Sequence, residues 1–128
     1  MTTTQRLPLF VYGTLRRGGR YHEEYLAGRF DEARPARLPH FKKVVGDHGF
    51  DVAVPAAGDS LEGELFDLSA ARYDETLFRC DELEELWPGE LRGAWYQRVA
   101  LEVTCGGTAT RAWVYIGATG HENRIGSP

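Results

Sequence analysis

Only one stretch of this 128-residue chain carries the pattern of a long helix, and it lies late, between runs that read as strands. It opens at Ser69, a good N-cap residue, followed by Ala70, Ala71 and Arg72. It is expected to run to about Leu86, where Trp87-Pro88-Gly89 stops it. The other patterned segments favour extended backbone. Leu7 to Tyr12 (LPLFVY) is a short apolar strand that ends at Gly13. Arg29 to Val45 holds Pro35 and Pro39, which exclude a regular helix and favour an edge or bent strand. Phe50 to Val54, stopped by Pro55, reads as one short strand. Ser60 to Leu68 reads as another, with Leu61, Gly63 and Leu65 on one face and Glu62, Glu64, Phe66 and Leu68 on the other. Tyr96 to Val103 and Thr108 to Ile116 are strands joined by a Gly106-Gly107 hairpin turn. Tyr21 to Leu26 has room for one or two helical turns before Gly28. One helix set among strands does not make a βαβ series, so the expected class is α+β.

The length suits one domain with a real core, read as residues 1–128 with the core at about 7–117 and a polar C-terminal tail. The net charge of −4, from 15 basic and 19 acidic residues, argues against nucleic acid or an anionic membrane as partner. No apolar run approaches the ~20 residues that a membrane-spanning helix needs. Met1 to Pro8 lacks an apolar core, so a signal peptide is not expected, and the location is read as cytoplasmic. Cys80 and Cys105 make no CxxC pair and read as reduced, partly buried thiols. His22, His40, His48 and His121 show no metal-ligand spacing; each reads as a surface or loop residue, and no metal or other cofactor is expected. No nucleophile elbow is present. Arg16, Arg17 and Arg20 form a basic cluster, read as a solvated loop ahead of an anion site.

The helix contains one misplaced charge. At ~100° per residue, Tyr73, Leu77, Cys80 and Glu84 share one stripe about 60° wide. The other acids of the helix, Asp74, Glu75, Asp81, Glu82 and Glu85, fall at or beyond its edge. A carboxylate on a core-facing stripe costs free energy unless it is paired or opens into a cavity. Three outcomes stay open: an ion pair with Arg98 or another arginine, escape to solvent from the last turn, or a pocket position with a raised pKa.

The second candidate is the strand end Tyr12-Gly13-Thr14-Leu15. A buried strand delivered to a glycine turn lets a ligand approach the backbone, and successive N–H groups there can form an anion-binding nest. A plain β-turn is the alternative. The segment is neither a Walker loop nor a dinucleotide fingerprint, because the lysine and the glycine spacing are both absent.

Phe10 to Gly18 (FVYGTLRRG) strongly resembles the VYGTLRxG signature of the γ-glutamylcyclotransferase-like family, which includes the AIG2-like proteins and γ-glutamylamine cyclotransferases. The likeness continues in order through His22, Gly49 to Pro55, Leu61 to Phe66 (LEGELF), Asp81-Glu82-Leu83-Glu84, Tyr96-Gln97-Arg98 and Ala112 to Tyr115 (AWVY). It covers about residues 8 to 117. Two positions depart from the family pattern. Tyr21 stands where Asn is frequent, at the expected pocket mouth. Glu85 stands where Gly commonly follows the catalytic glutamate, adding a charge that either raises the pKa of Glu84 or faces solvent.

The resemblance implies a small mixed barrel-like sheet flanked by helices, with a cavity at the signature turn. It also implies an enzyme acting on a small γ-glutamyl compound. In the implied reaction the substrate's α-amine attacks its own γ-carbonyl, releasing 5-oxoproline and an amine or amino acid. On this likeness Glu84 is the general base. Backbone N–H groups around Gly13, Thr14 and Leu15 hold the α-carboxylate, the same turn, Tyr12 or Tyr96 assists at the oxyanion, and Tyr115 contributes to the wall. A non-catalytic module binding a small metabolite or a protein is the other reading of the same fold. Oligomeric state is not legible in the sequence.

Overall fold

The computed structural model describes residues 6–118; residues 1–5, and 119–128 with His121, lie outside the described residues. Five strands close into a barrel in the order β1-β3-β2-β4-β5: β1 is Leu9–Val11, β2 Phe30–Val45, β3 Asp51–Leu68, β4 Tyr96–Cys105 and β5 Thr108–Gly117. The fold is α+β and mixed. Four of the pairings are antiparallel; β1 lies parallel to β5, with Phe10 opposite Val114, and this pairing closes the ring. Two helices lie outside it, α1 at His22–Tyr25 and α2 at Tyr73–Leu83. Among the described residues no helix is long and apolar enough to cross a membrane.

Strand alternation sorts the core into two clusters. One set, including Phe10, Tyr12, Leu38, Leu65, Val103 and Val114, fills the barrel interior. The intervening residues Leu9, Val11, Val52, Val54 and Phe66 point outward, where Tyr73, Leu77 and Cys80 of α2 cover them. The apolar stripe expected of the helix is thus the face that seals the outer wall. Burying side chains of this size stabilises by about 1.5–3 kcal/mol each, enough to hold so short a helix in place.

Three expectations need correction. Phe50–Val54 and Ser60–Leu68 are not separate strands; β3 runs unbroken through Pro55 and Gly58. Pro55 is tolerated because β1 pairs with β3 only at Glu64–Phe66, so Pro55 lies on an open edge and its missing N–H leaves no partner unpaired. Opposite it, β2 bends at a bulge between Pro39 and Phe41, with His40 at φ 68°. Ser69 makes no side-chain capping bond; a 3₁₀ turn, Ala70–Arg72, precedes the α-helix instead. The helix also stops at Leu83 rather than near Leu86.

That early stop has a local cause. Leu86 N–H bonds back to the Asp81 carbonyl and Glu85 N–H to that of Glu82, with Glu85 in the left-handed region at φ 60°. This is the closing geometry that glycine usually serves. A glutamate there is strained, by about 1 kcal/mol. Glu85→Gly is therefore expected to raise stability by about 1 kcal/mol, seen as a higher urea midpoint with an unchanged slope. A lower midpoint would contradict the assigned strain.

Candidate active site

The turn after β1 is held from behind at three points. Arg16 N–H bonds to Gly13 O at 3.1 Å and Tyr21 N–H to Thr14 O at 2.9 Å. His22, buried between Phe30 and Phe66, donates from Nδ1 to Leu15 O at 3.1 Å. His22 is thus a core residue, not the surface or loop histidine expected, because the turn folds it back onto the barrel wall. Glu64 of β3 accepts Arg17 N–H and Arg17 Nε, each at 2.8 Å. Arg17 is therefore a clamp, although its side chain, like those of Arg16 and Arg20, is exposed. Burial alone would push the Glu64 carboxyl up; the Arg17 N–H and guanidinium outweigh it and hold it below the usual carboxylate value. Glu64→Gln is expected to cost about 1–2 kcal/mol, limited by the half-exposed arginine. Because the folded-state value is depressed, this contribution is present above the unfolded pKa and is lost as pH falls through the folded one. Wild type and variant should converge in denaturation midpoint at acid pH.

With the turn pinned in this way, the N–H groups of Gly13, Thr14 and Leu15 donate to none of the turn's own carbonyls. Beside it lies a cavity of about 330 Å³ lined by Thr14, Tyr21, His48, Phe50, Asp51, Leu83, Glu84, Glu85, Trp95 and Tyr96. That is near the lower end of small-molecule sites, about 300–1,000 Å³.

Glu84 enters this cavity from the end of α2. Of its three possible surroundings, the ion pair with Arg98 is ruled out: Arg98 makes a two-pronged bond to Asp81, at 2.9 and 3.0 Å. Asp81 also accepts the Tyr115 hydroxyl at 2.6 Å. Among the described residues no cation or donor meets the Glu84 carboxylate. Burial first, then the negative charges of Asp81 and Glu85, push its pKa up to about 8. Glu85 is itself exposed, so it both faces solvent and raises the value at Glu84. The carbonyl end of the helix acts in the same direction.

The opposite wall comes from the β2–β3 loop and the start of β4. The His48 ring stacks on Trp95 at 4.1 Å and 4°. Tyr96 donates its hydroxyl proton to Asp51 O at 2.7 Å and lies 3.1 Å from His48 Nε2. With that proton committed, His48 is the donor in the pair, which places a proton on Nε2. Desolvation lowers the His48 pKa, only partly offset by Glu85 and Asp47.

The structure therefore brings Thr14, Glu84 and Tyr96 to one cavity and sets the other candidates around it. Tyr12 points into the barrel, where its hydroxyl accepts Ala53 N–H at 3.0 Å and donates to the Tyr115 carbonyl. Gly13 borders Asp51, whose Cβ would lie 3.9 Å from an added Cβ. Leu15 and Tyr115 are buried in the outer core beneath the site. Both cysteines are free and buried, and burial, with Glu84 and Asp81 next, pushes the Cys80 thiol up to about 12, too high for a nucleophile at neutral pH. Among the described residues no cluster of three His, Cys, Asp or Glu side chains has metal-binding geometry.

His48 and Asp51 carried no sequence signal for this role. His48 lacks metal-ligand spacing and Asp51 is one position of a strand-like run, so neither stands out in the sequence. Trp95 is part of the cavity wall. Trp87 is exposed, with Arg92 over its ring.

A strand-end turn that lends Thr14 to the same small cavity as an unpaired carboxylate defines a class of site on a closed barrel. Residues 9–127 match the family described as gamma-glutamyl cyclotransferase, AIG2-like, and the chain belongs to that family. No curated protein matches the sequence. Among solved structures, a gamma-glutamyl cyclotransferase is similar at 18% identity and a TM-score of 0.64, covering 88% of this chain and 66% of that one, so this chain spans just under two thirds of it. An AIG2-like protein from Mus musculus is 28% identical, with a TM-score of 0.64 over 88% of this chain and 78% of its own. A yeast gamma-glutamyl cyclotransferase specific to glutathione shares the fold at 12% identity and a TM-score of 0.69, over 95% of this chain and 73% of that one.

Proposed function

We propose that the chain cyclises a γ-glutamyl amide, releasing 5-oxoproline and an amine or amino acid. The observation that carries this reading is Glu84: a half-buried carboxylate with no ion-pair or hydrogen-bond partner among the described residues, its pKa raised to about 8, in a cavity that Thr14 of the glycine turn also lines.

The substrate brings its own nucleophile, so the protein needs to supply orientation, a proton acceptor and donors. The α-ammonium must lose a proton before its nitrogen can attack, and Glu84, with its pKa raised to about 8, is a stronger base for that proton than an ordinary carboxylate. The free amine then attacks the γ-carbonyl, forming the ring C–N bond. As the tetrahedral centre collapses, the bond to the leaving nitrogen breaks and protonated Glu84 returns a proton to it. The ring nitrogen's remaining extra proton passes back through Glu84 to the released amine. Closing the ring on a held substrate removes an entropic barrier of several kcal/mol.

The α-carboxylate fits the N–H groups of Gly13, Thr14 and Leu15. The hydroxyl protons of Tyr12 and Tyr96 are committed to backbone carbonyls. The Thr14 hydroxyl and the turn N–H groups are therefore the donors best placed for the oxyanion. Incubation with γ-glutamyl amino acids, γ-glutamyl amines and glutathione, read by mass spectrometry for 5-oxoproline, tests the reading. Release from at least one class supports it. Melting-temperature shifts without product favour a binding module instead.

A further inference from the structure

A second cleft, of about 290 Å³, opens between α2 and the turn that follows it. Five large apolar side chains stand exposed among the described residues. Three of them, Phe78, Trp87 and Leu91, line this one cleft, at 62%, 46% and 47% exposure. Apolar residues scattered singly need no partner, but converged on one concavity they mark an interaction site. Phe78 lies off the helix face that Tyr73, Leu77 and Cys80 bury, so core packing does not account for it. The turn is built to hold its side chains still. Trp87-Pro88-Gly89-Glu90 has proline second and glycine third, at φ 75°, and Glu90 N–H bonds to Trp87 O at 2.9 Å. That is the pattern of a type II turn. Trp87 N–H also bonds to Arg92 O, and Arg98 N–H to Leu91 O at 2.8 Å, which ties the turn to β4. A surface fixed in this way loses little conformational entropy on binding.

The charged lining of the cleft is wholly acidic: Asp81, Glu82 and Glu90, with no lysine or arginine. Asp81 is committed to Arg98 and Tyr115, whereas Glu82 and Glu90 make no ion pair among the described residues. Each of these two acids stands beside an apolar anchor, Glu82 one helical turn from Phe78 and Glu90 next to Leu91. Arg92 lies over the Trp87 ring at 5.6 Å but is not part of the lining, so the cleft's own charge stays negative. Exposed apolar anchors with charged residues beside them are the make-up of a protein interface. An acidic segment would be repelled here, and a purely apolar one would strip water from two unpaired carboxylates. We propose that this cleft docks a partner protein through an amphipathic helix whose aliphatic side chains are flanked by lysine or arginine. The docking site is independent of the cyclotransferase reading.

The probe is the peptide acetyl-AKLAKKLAKLAK-amide, whose leucines share one helical face. It is titrated into the full-length, isotope-labelled protein and followed by NMR. The expected result is saturable binding that moves the Trp87 indole signal and the amides of Phe78, Glu82 and Leu91. The acidic counterpart, acetyl-AELAEELAELAE-amide, should leave them in place. Phe78→Ser and Leu91→Ser should each weaken binding about tenfold or more. Glu82→Gln combined with Glu90→Gln should weaken it about fivefold and reduce its salt dependence. All four positions are exposed, so these variants should keep the wild-type urea midpoint, which separates lost docking from a lost fold. Val45→Ser changes an exposed apolar residue outside the cleft and should bind as wild type does. Absence of binding, equal binding of both peptides, or binding unchanged in the Phe78 and Leu91 variants overturns the proposal. So does self-association that is lost in Phe78→Ser, which would seat a second copy on the cleft. A Trp87 indole signal that moves in full-length Ile125→Ser overturns it too, by seating the chain's own terminus there.

Discussion

Glu84→Gln is expected to lower 5-oxoproline release by about 10²–10⁴-fold, the usual worth of a positioned base, without unfolding the chain. Glutamine fills the same space but accepts no proton at neutral pH. The stability change should have the opposite sign to the activity change. Burial and the neighbouring charges raise the folded-state pKa of Glu84 to about 8, above that of an unfolded glutamate, about 4.3. Between those values the native state holds a proton that the unfolded chain releases, so wild-type stability falls as pH rises through this window. The variant does not titrate there and should be the more stable protein at pH 8, seen as a higher urea midpoint. Wild-type kcat/KM should rise with pH through about 8 as the base ionises. A well-folded Glu84→Gln protein that still releases 5-oxoproline at the wild-type rate would remove the residue from the mechanism.

Gly63→Ala should cost about 3 kcal/mol of stability for a single methyl group. A Cβ at Gly63 would lie 2.3 Å from the Val11 carbonyl oxygen and 2.6 Å from Cζ of Phe10. The first obstacle is backbone, so β1 and β3 would have to part. β1 leads directly into the turn that carries Thr14, and activity should fall together with stability. Gly13→Ala is the contrast: its φ is not positive, and an added Cβ meets only Asp51 Cβ at 3.9 Å. Its denaturation midpoint should stay near wild type. A Gly63→Ala protein of wild-type stability would mean that β1 can shift without cost, against the packing seen here.

These two glycines show how unevenly the sequence speaks. Gly13 stands out in the chain because it ends an apolar strand, yet its conformation is ordinary and its value lies in the room beside Asp51. Gly63 looks like one small residue in an alternating strand, and only the closed barrel shows that nothing larger fits. The same split runs through the site. Glu84 was legible because helical periodicity is a short-range property, and its place on the apolar stripe of Tyr73, Leu77 and Cys80 follows from spacing alone. What surrounds it was not legible. The pairing of Arg98 with Asp81 rather than Glu84 depends on β4 passing α2, and the Tyr96–Asp51–His48 contacts join segments 45 and 48 residues apart.

Local pattern by itself determined the α+β class, the glycine hairpin at Gly106-Gly107 and an acid on the wrong face of one helix, because each depends on neighbours within a few residues. Tertiary structure decided the rest. It carried β3 through Pro55, because that stretch forms an open edge. It ended the helix at a strained Glu85, buried His22, tied Glu64 to Arg17 and left Glu84 without a partner. An unpaired carboxylate is defined by what fails to reach it, and that depends on where every other charged side chain has gone once the barrel closes.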